Sequence, residues 1–289
     1  MFAQAVVSGL AIGSVYALIA IGFTMIWQAV NLINFAQGDL FMLGAYLGFT
    51  FYSVLKVPYW ASILLALLAS GLVGLLIERL ALRPLWAASP MSLLLATIAV
   101  SVLLRNIALL IWGPDALGFP PILGDSPVRL GSITLAPQHL VILGTTLIAI
   151  TLLHLFFQKT KYGTAMRATA IDPDTASLLG VNVRVMVAFI FALSAALGGL
   201  AGVLISPIFF ATTEMGNLVG LKAFAAAVLG GLNNVYGALI GGLLLGVLEN
   251  VTAGFVSSNY RDAIAFVVMI LVLRFRPSGI LGQRTIEKV

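Results

Sequence analysis

The 289-residue sequence contains no cysteine, which excludes a disulfide framework, a thiol nucleophile and a thiolate-bound metal. Histidine is almost as scarce. His139 and His154 are the only two, at opposite ends of one apolar run. About 15 residues of helix would hold them more than 20 Å apart, too far to share a metal, so each reads as an interfacial side chain. Charge is the third shortage: 9% of residues are charged and 61% hydrophobic, against roughly 25% and 45 to 50% in soluble domains. With 15 basic and 10 acidic side chains, the chain cannot clothe a water-soluble globule of this size. Its mean hydropathy of +1.12 makes lipid the main solvent. Also missing are a G-x-x-x-x-G-K-[ST] phosphate loop, an H-E-x-x-H pair and a nucleophile elbow. The chain therefore reads as a non-enzyme with no metal and no cofactor of its own, and any ATP that powers it must bind another polypeptide.

What is present is a series of uncharged apolar runs, continuous rather than alternating, which indicates helices and not a barrel. A bilayer core of about 30 Å needs roughly 20 helical residues. The candidate spans are 5–27, 40–55, 61–77, 92–112, 140–157, 185–208, 221–232, 235–256 and 263–273. The runs at 40, 221 and 263 are short and read as tilted, broken or re-entrant. The expectation is an all-α, polytopic transmembrane bundle of about eight or nine crossings, one domain over 1–289. The first run lacks a preceding basic residue and exceeds a signal-peptide core of about 7 to 15 residues, so it reads as a retained span.

The net charge of +5 forms no basic stripe, which argues against nucleic acid and for membrane orientation. Arg79 and Arg83 share one loop, Lys159, Lys161, Arg167 and Arg184 another, and Arg274, Arg276, Arg284 and Lys288 the C-terminus. All three are expected in the cytoplasm. The stretch 113–139, with Arg129 against Asp115 and Asp125, suits the outer face.

Glycines recur four apart at Gly9 and Gly13, Gly44 and Gly48, Gly198 and Gly202, Gly237 and Gly241, and Gly242 and Gly246. In lipid, close backbone approach at such positions is a main source of helix association. GDLFMLGAYLG from Gly38 and GLKAFAAAVLGG from Gly220 share a glycine, a nearby charge and an apolar run, as a duplicated segment would.

Asp39, Arg105, Lys222 and Glu249 fall in or against apolar runs. Facing lipid would cost about 2.5 to 3.5 kcal/mol for Arg, Lys or Asp at a span centre, so each is expected to face protein or water. The polar stretch NLINFAQGD, with Asn31, Asn34, Gln37 and Asp39, has two readings. It interrupts a helix inside the membrane and borders an aqueous route, or it is a surface loop in which Asp39 starts the next helix.

The loop at about 158–184 holds a second signal. Asp172 reads as an N-cap, Pro173 as the first helical residue, Asp174 as a favourable first-turn charge and Gly180 as the stop. So short a helix is marginal alone. It needs a docking surface, with Ala176, Leu178 and Leu179 available for contact and Ser177 between them.

These residues resemble the LivH-type permease subunits of bacterial branched-chain amino acid ABC transporters over essentially the whole chain. INFAQGDLFMLGAY from Ile33 is similar to the family's Asn-Phe-Ala-x-Gly-acidic signature, with Gln37 where many members have His and Asp39 where many have Glu. RATAIDPDTASLLGVNV from Arg167 resembles its coupling loop, and KAFAAAVLGGLNNVYGALIGGLLLGVLE from Lys222 its C-terminal signature. The resemblance implies a permease subunit of an importer for branched-chain amino acids or related small amino acids and amides. It implies an inner-membrane location, a second LivM-like permease, two cytoplasmic ATPases carrying ATP-Mg, and a periplasmic substrate-binding protein. By the same likeness, the helix from Pro173 to Leu179 fits a groove on an ATPase. The alternative is a self-sufficient ion-coupled transporter in which Asp39 or Glu249 binds a proton or sodium ion.

Overall fold

The computed structural model describes residues 2–121, 124, 126–130, 133–276 and 278–282. Asp125, Arg284 and Lys288, assigned above to loops of opposite sides, lie outside the described residues. Eleven α-helices account for most of what is described: α1 (Phe2–Val30), α2 (Gln37–Phe49), α3 (Tyr59–Ile77), α4 (Pro90–Trp112), α5 (Pro137–Lys159), α6 (Lys161–Ile171), α7 (Pro173–Leu178), α8 (Val183–Phe209), α9 (Met215–Gly230), α10 (Val235–Phe255) and α11 (Arg261–Phe275). A small antiparallel hairpin, β1 (Val128–Leu130) with β2 (Ile133–Leu135), stands between α4 and α5.

The fold is the expected helical membrane bundle. Six helices are long and apolar enough to cross a bilayer: α1, α3 extended to Leu85, α4, α5, α8 and α10. The short runs α2, α9 and α11 are packed among them. α1 and α8 form the centre, with 78% of their most apolar stretches buried against 17% for α5. Outside them, Leu64, Leu68, Leu72, Leu76 and Leu80 stand exposed at four-residue intervals along α3 and its extension, a one-faced stripe that suits lipid.

Small residues set how closely the helices approach. α1 runs antiparallel to α10, with Gly9 and Gly13 against the backbone at Gly246, Val247, Gly242 and Leu243. Gly44 of α2 meets Gly199 of α8, Gly202 meets the backbone of Phe41, and Gly230 meets Gly237 in the α9 to α10 turn. Every recurring glycine pair noted in the sequence has at least one member in such a contact.

The packing also repeats. α1 lies on α10 as α8 lies on α3, α2 touches α8 as α9 touches α1, and α2 contacts α3 and α4 as α9 contacts α10 and α11. This is the pattern two interlocked four-helix units make, and Gly38 and Gly220, the starts of the two similar segments, lie against each other.

The basic ends gather at one end of the bundle. Gly74, just before the π-helical turn Glu78–Leu82, meets Phe191 near the start of α8, while Ile280 and Leu281 bond back to Leu229 and Gly230 at the end of α9. Trp27, near the end of α1, donates to Asn233 at 3.1 Å beside the start of α10.

A Cβ on Gly44 would run into the Gly199 backbone, whereas one on Gly144 meets nothing within 4 Å. Gly44→Ala is expected to cost about 1 to 3 kcal/mol through overpacking, and Gly144→Ala to be neutral or slightly stabilising through helix propensity. Thermal unfolding in detergent reads both; equal behaviour would contradict this packing.

Candidate functional site

The bundle's polar centre begins where α1 stops. Asn31 adopts φ 50 and bonds back to Trp27 at 2.8 Å, ending the helix in the left-handed region that asparagine tolerates. The Asn34 side chain accepts from the Ala36 N–H at 3.2 Å, turning the chain into α2. Gln37 then hooks that start to α8: its Nε2 donates to the Ser194 carbonyl and its Oε1 accepts from the Ser194 hydroxyl, both at 3.0 Å. Ser194 lies 11 residues into α8, about 17 Å from the start of that helix at 1.5 Å per residue. The polar stretch therefore interrupts helix deep inside the bundle. Asp39 is not a surface cap; Ala36 holds that position without a side-chain bond, and Asp39 is buried in the first turn.

α9 begins at the same depth from the opposite direction. Gly38 packs on the backbone of Gly216 and Gly220, so the first turns of two short helices overlap head to head. Two clusters of charge flank this meeting point.

In the first, Asp39 accepts from the Ser101 hydroxyl and from Arg105 Nη2 at 3.5 Å, while Arg105 Nη1 stands 3.8 Å from the exposed carboxylate of Glu214. Ser101 and Arg105 are one turn apart on α4 and so share its face. In the second, Lys222 Nζ lies 2.6 Å from Asp262 and 3.1 Å from Glu249. Glu249 also meets Arg261 Nε at 3.4 Å and accepts from the Tyr16 hydroxyl at 2.9 Å. The two acids and two bases balance in formal charge around the buried Lys222 and Glu249, while Asp262 is half exposed.

The six intramembrane polar residues Asn34, Gln37, Asp39, Arg105, Lys222 and Glu249 all lie in this region, in three pairs rather than one cluster. Asn34 and Gln37 build the helix break, Asp39 pairs with Arg105, and Lys222 pairs with Glu249. Tyr16, Ser101, Arg261, Asp262 and Glu214 were not anticipated. Ser101 at four residues from Arg105 was a readable signal; Tyr16 looks like any aromatic in an apolar run until α10 is placed beside it. Glu78 is a further buried acid, with no hydrogen-bond partner for either oxygen among the described residues. It sits in the π-helical turn that ends α3, where adjacent Arg79 reads as loop.

A cavity of about 230 Å³ opens beside Asp39, Ser101, Arg105 and Asn217, and another of about 540 Å³ beside Tyr16, Lys222, Arg261 and Asp262. The first turns of α9 stand between them. Among the described residues no group of three His, Asp or Glu side chains could hold a metal. The arrangement suits polar solutes and water.

At the basic end, α7 forms as its capping residues dictate. Asp172 accepts from the N–H groups of Asp174 and Thr175 at 3.0 Å and from the Thr175 hydroxyl at 2.5 Å. The Thr175 side-chain bond, followed by its backbone bond, holds the Asp172 carboxyl below the usual carboxylate range. The helix ends at Leu178, with Leu179 as its cap and Gly180 at φ 86. Ala176 turns inward and is 2% exposed, so it packs on its own chain and not on a partner, contrary to its expected contact role. Leu178 and Leu179 are 88% and 79% exposed.

The family model for the branched-chain amino acid transport system permease component matches residues 5–273. The chain is 37% identical to the high-affinity branched-chain amino acid transport permease LivH of Salmonella typhimurium, covering 100% of this chain and 98% of that protein. It is 36% identical to BraD of Pseudomonas aeruginosa, another high-affinity branched-chain amino acid transport permease, with the same coverage. In fold it is similar to a solved structure of PsaBC from Streptococcus pneumoniae in complex with Fab, with a TM-score of 0.50, 13% identity, and 93% of this chain and 90% of that chain covered.

Lys222→Met leaves the cluster, with Glu249 fully buried, one negative charge in excess and is expected to cost about 3 to 5 kcal/mol. Adding Glu249→Gln restores the balance and should recover most of that loss in detergent melts; additive losses would contradict the network. At α7 the depressed Asp172 pKa means capping is complete above the unfolded value of about 3.9 and fades only as pH falls through the lower folded value. Amide protection at Asp174 and Thr175, corrected for intrinsic exchange, should be flat from pH 8 to 5 and lost in Asp172→Ala; a decline within that range would contradict the assignment.

Proposed function

The chain belongs to the branched-chain amino acid transport permease family, and from that premise we propose that it is the membrane-embedded subunit of an ABC importer for branched-chain or related small amino acids. It hydrolyses nothing; ATP-Mg acts on two partner ATPases, and a periplasmic binding protein delivers the solute. The observation that carries this reading is the polar, discontinuous centre of an otherwise apolar bundle. Non-helical backbone at membrane depth is tolerated where it is buried in protein or lines a water-filled route.

A second, LivM-like permease covers the open side of that route. Glu214 and Asn217 are exposed at the depth where α2 and α9 meet, and such groups are costly in lipid. The excess of Arg79, Arg83, Lys159, Lys161, Arg167, Arg184, Arg274 and Arg276 at one end supports a cytoplasmic side there, with the described C-terminal segment on that side in this reading. α7 projects from that end with Ile171, Leu178 and Leu179 almost fully exposed. So much apolar surface on a polar flank calls for a partner, and an ATPase groove is the partner that explains how a passive bundle is driven. None of the relatives named above is described as ion-coupled, the competing use of Asp39 or Glu249.

Purification from mild detergent with a tag on this chain tests the assembly: a second permease and two ATPases should co-purify in fixed proportion, and isolation of this chain alone would overturn the reading. Leu178→Glu with Leu179→Glu should leave membrane insertion intact and lower ATP-driven leucine uptake roughly tenfold or more, the effect of losing a hot-spot contact of about 1.4 kcal/mol. Undiminished uptake would remove α7 from the coupling path.

A further inference from the structure

The 230 Å³ cavity between α1, α4 and α9 is smaller than the roughly 300 to 1,000 Å³ that drug-sized ligands fill. Its lining is divided. Asp39 is bonded to both Ser101 and Arg105 on one part of the wall. On another part Phe224 packs against Phe23 and Phe35, with ring centroids 5.7 Å and 6.3 Å apart. A small molecule with a polar head and an apolar body matches that division.

The charges say which head. A guanidinium carries five N–H donors, yet among the described residues Arg105 makes one hydrogen bond, to Asp39 at 3.5 Å, has the exposed Glu214 carboxylate 3.8 Å from Nη1, and leaves its buried Nε without a partner. The contrast with the second cluster is direct, because Lys222 is held at 2.6 Å and 3.1 Å by its own acids. Arg105 therefore has donors left for a carboxylate, which its planar fork binds bidentately. Asp39 beside it and the exposed Glu214 at 3.8 Å repel a simple anion, and Arg105 repels a simple cation. A molecule bearing both charges satisfies both.

We propose that this cavity is a transit site for an aliphatic amino acid in its zwitterionic form: Arg105 receives the carboxylate, Asp39 the ammonium, and the phenylalanine cluster the side chain. The inference rests on the importer reading above and adds a place to it. Binding there is weak, since a conduction site must release what it admits.

The absence of cysteine makes a direct test available in the complete importer. Val102, half exposed and lining the cavity, is replaced by Val102→Cys, and its modification by a cationic methanethiosulfonate is followed by the mass of this chain. Millimolar L-leucine should slow labelling severalfold, while leucinamide, which lacks the carboxylate, and 4-methylpentanoate, which lacks the ammonium, should not. Arg105→Gln should abolish the protection. Because that variant also strands Asp39, Val102→Trp, which fills the cavity and leaves the charges alone, is the second probe; leucine uptake should fall at least tenfold. Equal protection by all three compounds, no protection by leucine in an importer that accumulates it, or full uptake by Val102→Trp would overturn the site while leaving the importer reading intact. An assembled importer that accumulates no amino acid would overturn that reading and this site with it.

Discussion

The structure depends on two helix starts meeting at the centre of the bundle. α2 and α9 each begin deep inside rather than at a surface, and they overlap through Gly38, Gly216 and Gly220, where backbone touches backbone. A helix start leaves N–H groups without intrahelical partners, which hydrocarbon cannot satisfy. The two long helices α1 and α8 enclose the break: Gly22 of α1 and Ser194 of α8 close around Gln37. Side chains larger than hydrogen at the three glycines would push the starts apart and open the centre.

The charges follow from that geometry. The pair Asp39 with Arg105 joins α2 to α4, and the pair Lys222 with Asp262 joins α9 to α11, the corresponding helices of the two similar units. The signs are reversed between them. One pair is loose and borders a small cavity; the other is tight and tied through Glu249 to Arg261 and Tyr16. The tight network braces α1, α9, α10 and α11 against one another, whereas the loose pair keeps donors free. Two related positions thus differ in how tightly their charges are held, and the proposed transit site uses the looser one.

Much of this was legible in residue order. Apolar run length placed the spans, and residues 40, 221 and 263 marked short segments that are indeed the short helices α2, α9 and α11. Asp172 with Pro173 located α7 almost to the residue because capping is a local interaction. Partner choice was not legible. Glu249 finds Tyr16 across 233 positions of sequence, and no local pattern encodes a contact made by tertiary packing. Two residues could not be placed from the sequence for the same reason. Asp39 has the spacing of a surface cap yet starts a buried helix, and Ala176 looks available on a short helix until its burial against the same chain is seen. The β1 to β2 hairpin escaped notice because its strands are three residues long, below what periodicity resolves.

In the proposed importer the chain is a route without an engine, a glycine-packed bundle whose change of state is driven from outside through α7. The central claim is this dependence on another polypeptide for energy. The most direct measurement is accumulation of labelled leucine in proteoliposomes holding this chain alone, with proton and sodium gradients imposed, beside vesicles holding the assembly with its ATPases, its binding protein and ATP. The account predicts accumulation only in the second; concentration of leucine by the isolated chain would contradict it.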